Sequence, residues 1–314
     1  MKRFAIKDYG PAEAVFEEID AQQRELTDSR IRVEIKAFSV NPYDVSLRSG
    51  AMKEMRTLKF PYVPGNDGAG IVTEIAPDVK DFKVGDRVVV HAVGGTYGEE
   101  VVLPAKKATI IPEKMSWSEA AGMVTTGITA YNLLNHLLTL KPSDVVMVQG
   151  ASGGVGSMLV QLLNEKNIKV LASASKRNEE KVKELGVSAF AAYDEVDPGE
   201  IFEDKATIVI DATKGSRKGK EGIQIMKENG KYIALNDLPD EGLRAEKSGY
   251  YASFTPKKEY EDKEAFEGLI KSYEAGKLKI AIAEILPFKL ESVIEAHKQL
   301  EGHPSAGKIV IERL

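Results

Sequence analysis

The chain has 314 residues, 43% hydrophobic and 29% charged, with a formal net charge of -5 and no cysteine. That length corresponds to about two domains of roughly 150 residues each, and the acidic balance excludes the basic footprint of a nucleic-acid or anionic-membrane binder. Without cysteine there are no disulfides, no thiolate metal ligands and no cysteine nucleophile. No apolar run approaches the roughly 18 residues of a membrane span, and Met1 to Ile6 runs straight into a strand-like pattern with no signal-peptide segment. The expectation is a cytoplasmic protein working on small molecules.

Residues 1 to about 122 carry short β-like runs separated by Pro and Gly: Ile31-Arg32-Val33-Glu34-Ile35, Gly70-Ile71-Val72-Thr73-Glu74-Ile75 and Asp86-Arg87-Val88-Val89-Val90. They predict a mostly β domain. From Trp117 the pattern becomes helical and then alternates, with strands near 144–149, 169–174, 188–192, 206–211 and 230–235. This rhythm predicts a parallel sheet covered on both faces. The acidic segment from Asp194 to Asp204 reads as a solvated connection. After about residue 256, Phe266, Leu269, Ile270 and Tyr273 mark one helix face, and Ile280–Ile285 and Lys308–Ile311 read as strands that rejoin the first domain. The division expected is therefore 1–122, 123–256 and 257–314.

Between the strand at 144–149 and the next helix lies Gly150-Ala151-Ser152-Gly153-Gly154-Val155-Gly156. Here Gly150 permits a tight turn, Gly153 lets backbone N–H groups approach a pyrophosphate, and Gly156 lets the helix pack closely on the strand. The helix N-terminus then stabilises the anion through free N–H donors and its dipole. Ser152, Gly154 and Val155 supply the rest of the cradle. The same residues satisfy G-x-S-x-G, the nucleophile elbow of serine hydrolases, and Asp211 and His297 follow in that fold's Ser, Asp, His order. Against this second reading, an elbow has no need of the third glycine, and His297 has the spacing of a half-buried residue on a helix face.

NAD sites place Asp or Glu at the end of the second strand, about 20 residues on, to bind the ribose 2'-hydroxyl. This chain has Ser173-Ala174-Ser175-Lys176-Arg177 there, hydroxyls and cations suited to a 2'-phosphate. NADPH is the coenzyme expected.

Further motifs are Asn41-Pro42-Tyr43-Asp44, Arg48-Ser49-Gly50, Pro64-Gly65-Asn66-Asp67-Gly68-Ala69-Gly70-Ile71-Val72, Val84-Gly85-Asp86-Arg87-Val88, Thr126-Gly127-Ile128-Thr129-Ala130-Tyr131 and Gly307-Lys308-Ile309-Val310. With the 150–156 turn they make the chain resemble the zinc-independent quinone oxidoreductases of the medium-chain dehydrogenase/reductase superfamily. The resemblance implies an α/β fold, a GroES-like β domain plus a Rossmann doubly wound parallel sheet, with the cofactor in the cleft.

In the superfamily's zinc alcohol dehydrogenases, a cysteine stands at the position resembling Asn41 and a G-H-E motif at that resembling Gly65-Asn66-Asp67. Neither ligand is present here, and His91, His136, His297 and His303 are scattered, so no metal is expected. The resemblance also implies that Asn41, Asp44 and Arg48 line the cleft floor near the nicotinamide with Thr126 close by, and that Asp67 orients neighbours such as Arg48. It places Thr213, Leu235 and Asn236 at the ends of Rossmann strands, Ser253 and Phe254 beside the carboxamide, and Lys308 in a loop near the cleft. Relatives often carry tyrosines at the positions resembling Ser46 and Met52; in their absence Tyr43 and Tyr62 are the nearby candidates for a catalytic phenol.

The function expected is NADPH-dependent reduction of quinones or related conjugated carbonyls. The alternatives are reduction of an activated C=C bond in enones or enoyl compounds, NADPH binding without turnover, and the serine hydrolase. A homodimer formed through an edge strand at Gly249–Phe254 is the expected assembly.

Overall fold

The computed structural model describes residues 1–214, 218–302 and 306–313. His303 lies outside the described residues. Two compact units share the chain: Met1–Ile128 with Asp262–Lys271 and Ile280–Leu314, and Thr129–Glu261 with Ser272–Lys279. The chain opens with β1 (Lys2–Ile6), α1 (Ala12–Val15), β2 (Phe16–Asp20), β3 (Arg30–Val40), α2 (Pro42–Ser49), β4 (Asp67–Ile75), β5 (Arg87–His91), β6 (Glu100–Pro104), β7 (Ala108–Ile110) and α3 (Trp117–Asn132). It continues through β8 (Val145–Gln149), α4 (Gly154–Glu165), β9 (Lys169–Ala174), α5 (Glu179–Glu184), β10 (Ala189–Ala192), α6 (Pro198–Ile201) and β11 (Ala206–Asp211). There follow α7 (Gly219–Ile225), β12 (Met226–Ala234), α8 (Glu241–Ala245), β13 (Gly249–Ser253), α9 (Asp262–Glu274), β14 (Ile282–Pro287), α10 (Leu290–Gly302) and β15 (Lys308–Glu312).

The first unit is the GroES-like one. Its large sheet runs β14-β15-β3-β4-β5-β7, with β6 also paired to β3. The 11-residue β3 makes this possible: Arg30–Glu34 pair with β6, Ala37–Val40 pair with β15, and β4 follows the opposite edge. Phe4, Ile31, Val33, Ile35, Phe38, Val72, Val88, Val90, Ile309 and Ile311 form its core. Each such side chain stabilises by about 1.5–3 kcal/mol, which binds the C-terminal return to the N-terminal strands.

The second unit is a Rossmann sheet of six parallel strands in the order β10-β9-β8-β11-β12-β13. Val146–Val148 and Ile208–Ile210 are buried without alternation, as strands covered on both faces require. The order reverses at β8, so the chain leaves β8 beside the crevice where such sheets bind ligands.

Two expectations are corrected here. The Asp194–Asp204 segment is not simply solvated: Asp197 caps α6 by accepting from Gly199 N at 2.7 Å, and Phe202 is buried in the second core. An Asp-Pro start and one aromatic anchor outweigh the surrounding charge. His297 is fully buried rather than half-buried.

Candidate active site

The glycine turn is built from backbone. Gly150 and Ala151 N–H groups both donate to Ser173 O at 3.0 Å, and Gly150 has φ +75°, where glycine is favoured. A Cβ at Gly156 would lie 2.3 Å from Gly150 O and 2.9 Å from Ala151 Cα, so only glycine lets α4 start this close to β8. Gly153 is the N-cap; Ser157 N donates back to its carbonyl, and the N–H groups of Gly154, Val155 and Gly156 find no acceptor among the described residues. Ser152 to Val155 are partly exposed. Three aligned donors at the start of a 12-residue helix suit a phosphate.

At the end of β9 the Ser173 hydroxyl is buried without a hydrogen-bond partner. Asn178 Nδ2 donates to both Ser152 Oγ (3.1 Å) and Ser175 Oγ (3.0 Å), tying the turn to this strand end. Lys176 and Arg177 lie in the short 3-10 segment Lys176–Asn178. The ammonium of Lys176 contacts Glu179 (2.8 Å) and Glu195 (3.2 Å), which raises its pKa, while its N–H donates to Asp194 Oδ1. The sequence reading missed Glu179 and Glu195 as partners of this ammonium. Across the sheet, Thr213 N and Oγ1 donate to Asp211 Oδ1, Leu235 N donates to Asp211 O, and Asn236 Nδ2 donates to Thr213 O. Ser253 ends β13, and Phe254 N donates to Ala234 O.

The first unit holds a buried polar cluster set by sheet register. Ser39 lies opposite Asp67 and Ile309 opposite Val40, which brings Asn41 beside Lys308. Asp67 Oδ2 accepts from Ser39 Oγ (3.0 Å) and Asn41 Nδ2 (2.8 Å), and Asp67 Oδ1 accepts from Thr125 Oγ1 (2.5 Å). Lys308 Nζ donates to Asn41 Oδ1 and to Val40 O (3.3 Å), and it lies 3.6 Å from Asp67 Oδ2. Burial lowers the Lys308 pKa, against the pull of Asp67 and Asp44. Asp44 sits in the first turn of α2 and accepts from Asn41 N at 2.9 Å; burial, with the nearby Asp67 charge, pushes its pKa up to about 7, and its Oδ1 makes no hydrogen bond.

Several of these placements differ from expectation. Lys308 is the first residue of β15, with a buried ammonium, rather than part of a loop. Arg48 is not oriented by Asp67: its guanidinium is buried and donates to Gly10 O (2.6 Å) and the Glu301 carboxylate. Thr126 Oγ1 donates to Gly122 O within α3. Tyr43 and Tyr62 are brought together by Arg56, missed in the sequence, which donates to each hydroxyl at 2.9 Å.

Each residue of the expected serine triad is engaged with other partners. Ser152 Oγ is held by Asn178, Asp211 accepts from Thr213 and Tyr232, and His297 Nε2 lies 3.2 Å from the Tyr97 hydroxyl. Burial lowers the His297 pKa to about 3, which leaves it a weak base at neutral pH.

The Alcohol dehydrogenase GroES-like domain model matches residues 27–113, and the Zinc-binding dehydrogenase model matches residues 185–311. The human synaptic vesicle membrane protein VAT-1 homolog is 31% identical over 90% of this chain and 78% of its own length. A probable quinone oxidoreductase of Schizosaccharomyces pombe is 28% identical over 87% and 85%. The chain belongs to the quinone oxidoreductase family of the medium-chain dehydrogenase/reductase superfamily. Another relative, 2-methylene-furan-3-one reductase of Solanum lycopersicum, is 28% identical over 99% of this chain and 79% of its own. Among solved structures, the quinone oxidoreductase from Coxiella burnetii has a TM-score of 0.87 at 29% identity, covering 99% of each chain. Escherichia coli quinone oxidoreductase complexed with NADPH has a TM-score of 0.88 at 24% identity, covering 99% of this chain and 100% of that one.

The name of the second family model raises the question of zinc. Among the described residues no three His, Cys, Asp or Glu side chains group as metal ligands. At Asn41 and Asp67 the donors are one amide and one carboxylate that already accepts from Ser39, Asn41 and Thr125, with the Lys308 ammonium against both residues. These residues do not fit a zinc ion.

Proposed function

We propose that this family member is an NADPH-dependent reductase of quinones or related electron-poor conjugated carbonyls, working without zinc. The observation that carries the reading is the turn at 150–156: three unpartnered N–H donors, a glycine that no Cβ can replace, and a partnerless Ser173 hydroxyl at the neighbouring strand end. The Escherichia coli relative's complex supports NADPH, and the quinone oxidoreductase relatives support the acceptor. Lys176 and Arg177 are assigned to the 2'-phosphate, with Glu179 and Glu195 competing for the Lys176 ammonium. Thr213, Leu235, Asn236, Ser253 and Phe254 line the carboxyl ends of the strands, where the rest of the dinucleotide lies.

Bound NADPH supplies a hydride from C4 of its nicotinamide. In the first unit, Asn41, Asp67 and Lys308 keep a positive charge fixed without a metal, and Asp44 secures the first turn of α2 on which Tyr43 stands. The Tyr43 and Tyr62 hydroxyls orient the acceptor, and solvent protonates the reduced oxygen. The tomato relative's name favours a second reading, reduction of an enone C=C bond. Anaerobic oxidation of NADPH and NADH with a quinone panel and an enone panel tests both: preference for NADPH with quinones supports the first, turnover of enones alone the second. NADPH-dependent thermal stabilisation with no turnover in either panel contradicts both and supports a binding protein. We also assign the sheet-edge strand β13, whose Tyr250 is 53% exposed, to a homodimer, which sedimentation equilibrium tests.

A further inference from the structure

Arg56 stands out among the charged side chains of the first unit. Its Nη1 donates to Tyr43 and its Nη2 to Tyr62, each at 2.9 Å, and the guanidinium lies 5.5 Å from the Tyr62 ring centroid. Among the described residues no carboxylate pairs with it, and neither phenol donates its own hydrogen to an acceptor. All three side chains are half-buried. The carboxyl whose charge reaches Tyr62, that of Asp44, is turned to Asn41 N.

The surroundings combine positive charge with apolar surface. Lys53 and Lys59 are exposed on the same segment, which carries one acidic residue, Glu54. Met55 is 83% and Val93 74% exposed, and a Cβ at the neighbouring Gly94 would lie 2.4 Å from the Tyr62 hydroxyl. A guanidinium fork flanked by two phenol donors binds a planar anion through several charge-assisted hydrogen bonds.

We propose that Arg56, with the Tyr43 and Tyr62 hydroxyls, anchors a carboxylate on the acceptor, so that the preferred substrates are conjugated carbonyls or quinones bearing an acid group. The inference rests on the reductase reading above. For an enone acid, the hydride from NADPH adds to the β-carbon, a solvent proton completes the α-carbon, the C=C bond becomes single and NADP+ is released. The carboxylate takes no part beyond holding the acceptor in register.

The test compares (E)-3-benzoylacrylate with its methyl ester in wild type, Arg56→Gln and Arg56→Lys. The wild type is expected to favour the acid by about ten- to a hundredfold in kcat/KM, the range set by hydrogen bonds to a charged group. The ratio falls to near one in Arg56→Gln, chiefly through KM for the acid, and is partly restored in Arg56→Lys, which keeps the charge without the fork. Titration calorimetry with 3-benzoylpropionate, the saturated product, reads the same contact without turnover. Weaker binding to Arg56→Gln by tenfold or more, in protein whose melting is unchanged, is the expected result. An acid-to-ester ratio unaltered by Arg56→Gln, or equal calorimetric affinity in both proteins, overturns the proposal. A wild type that reduces no acceptor with NADPH yet binds 3-benzoylpropionate through Arg56 contradicts the reductase reading and leaves the carboxylate anchor standing.

Discussion

The two units carry polar centres built on opposite plans. In the Rossmann unit the donors are backbone N–H groups at the start of α4, and the charged side chains around them are exposed: the Lys176 side chain is 53% accessible. In the GroES-like unit the centre is made of side chains, with Lys308 and Asp67 buried against each other and finished by Asn41, Ser39 and Thr125. The first centre leaves hydrogen bonds for a ligand to complete. In the second, Asp67, Asn41 and Lys308 bond to one another and to their neighbours, so changes at these residues act on folding before they act on binding.

The contrast is broken most directly by Lys308→Met. Removing one partner of a buried pair strands the other charge, and a loss of about 3–5 kcal/mol is expected in urea unfolding. The double variant Asp67→Asn with Lys308→Met recovers much of it. By comparison, Lys176→Met leaves the unfolding midpoint where it was and raises the NADPH Kd selectively over that of NADH. Equal destabilisation by the two lysine substitutions would refute the distinction.

A second effect lies in the acid limb of stability. His297 is held neutral, its pKa lowered from 6.5 to about 3, so its contribution is present above pH 6.5 and is lost as pH falls towards 3. His297→Gln should flatten that limb by roughly 2–4 kcal/mol across the window. Asp44 works with the opposite sign: with its pKa raised from 3.8 to about 7, it favours folding most below pH 4 and loses that contribution as pH rises through 7. Asp44→Asn should therefore gain on wild type between pH 4 and 7; denaturation at a series of pH values measures both slopes.

Smaller still are the changes read through ligand binding. Gly156→Ala puts a methyl against backbone that cannot swing aside, and should weaken NADPH at least tenfold, about 1.4 kcal/mol, in fluorescence titration. Glu195→Gln frees part of the Lys176 ammonium and should tighten NADPH relative to NADH by two- to threefold.

The Rossmann centre was legible because its parts are close in sequence: an apolar strand, three glycines at fixed offsets and an amphipathic helix all lie within Val145–Glu165. The other centre was legible only in its members. Asn41, Asp44 and Asp67 stood out by resemblance, but Lys308 is 267 positions from Asn41 and meets it only through the register of β15 on β3. Without that register Lys308 reads as a loop residue. Arg48 was assigned to Asp67 for want of Glu301, 253 positions away. Arg56 carried no local signal at all, since its phenol partners lie 13 residues before it and 6 after. The same holds for Lys176, whose basic character was plain while Glu195, from beyond β10, was not counted against it.

The central claim is metal-free reduction by NADPH. Its most direct test is anaerobic oxidation of NADPH by 1,4-benzoquinone, corrected for the uncatalysed rate, using protein dialysed against a strong chelator. The account predicts one hydroquinone formed per NADPH consumed, at a rate that chelation and added zinc leave unaltered. Loss of the rate on chelation with recovery on zinc, or no enzyme-dependent oxidation of NADPH, would contradict it.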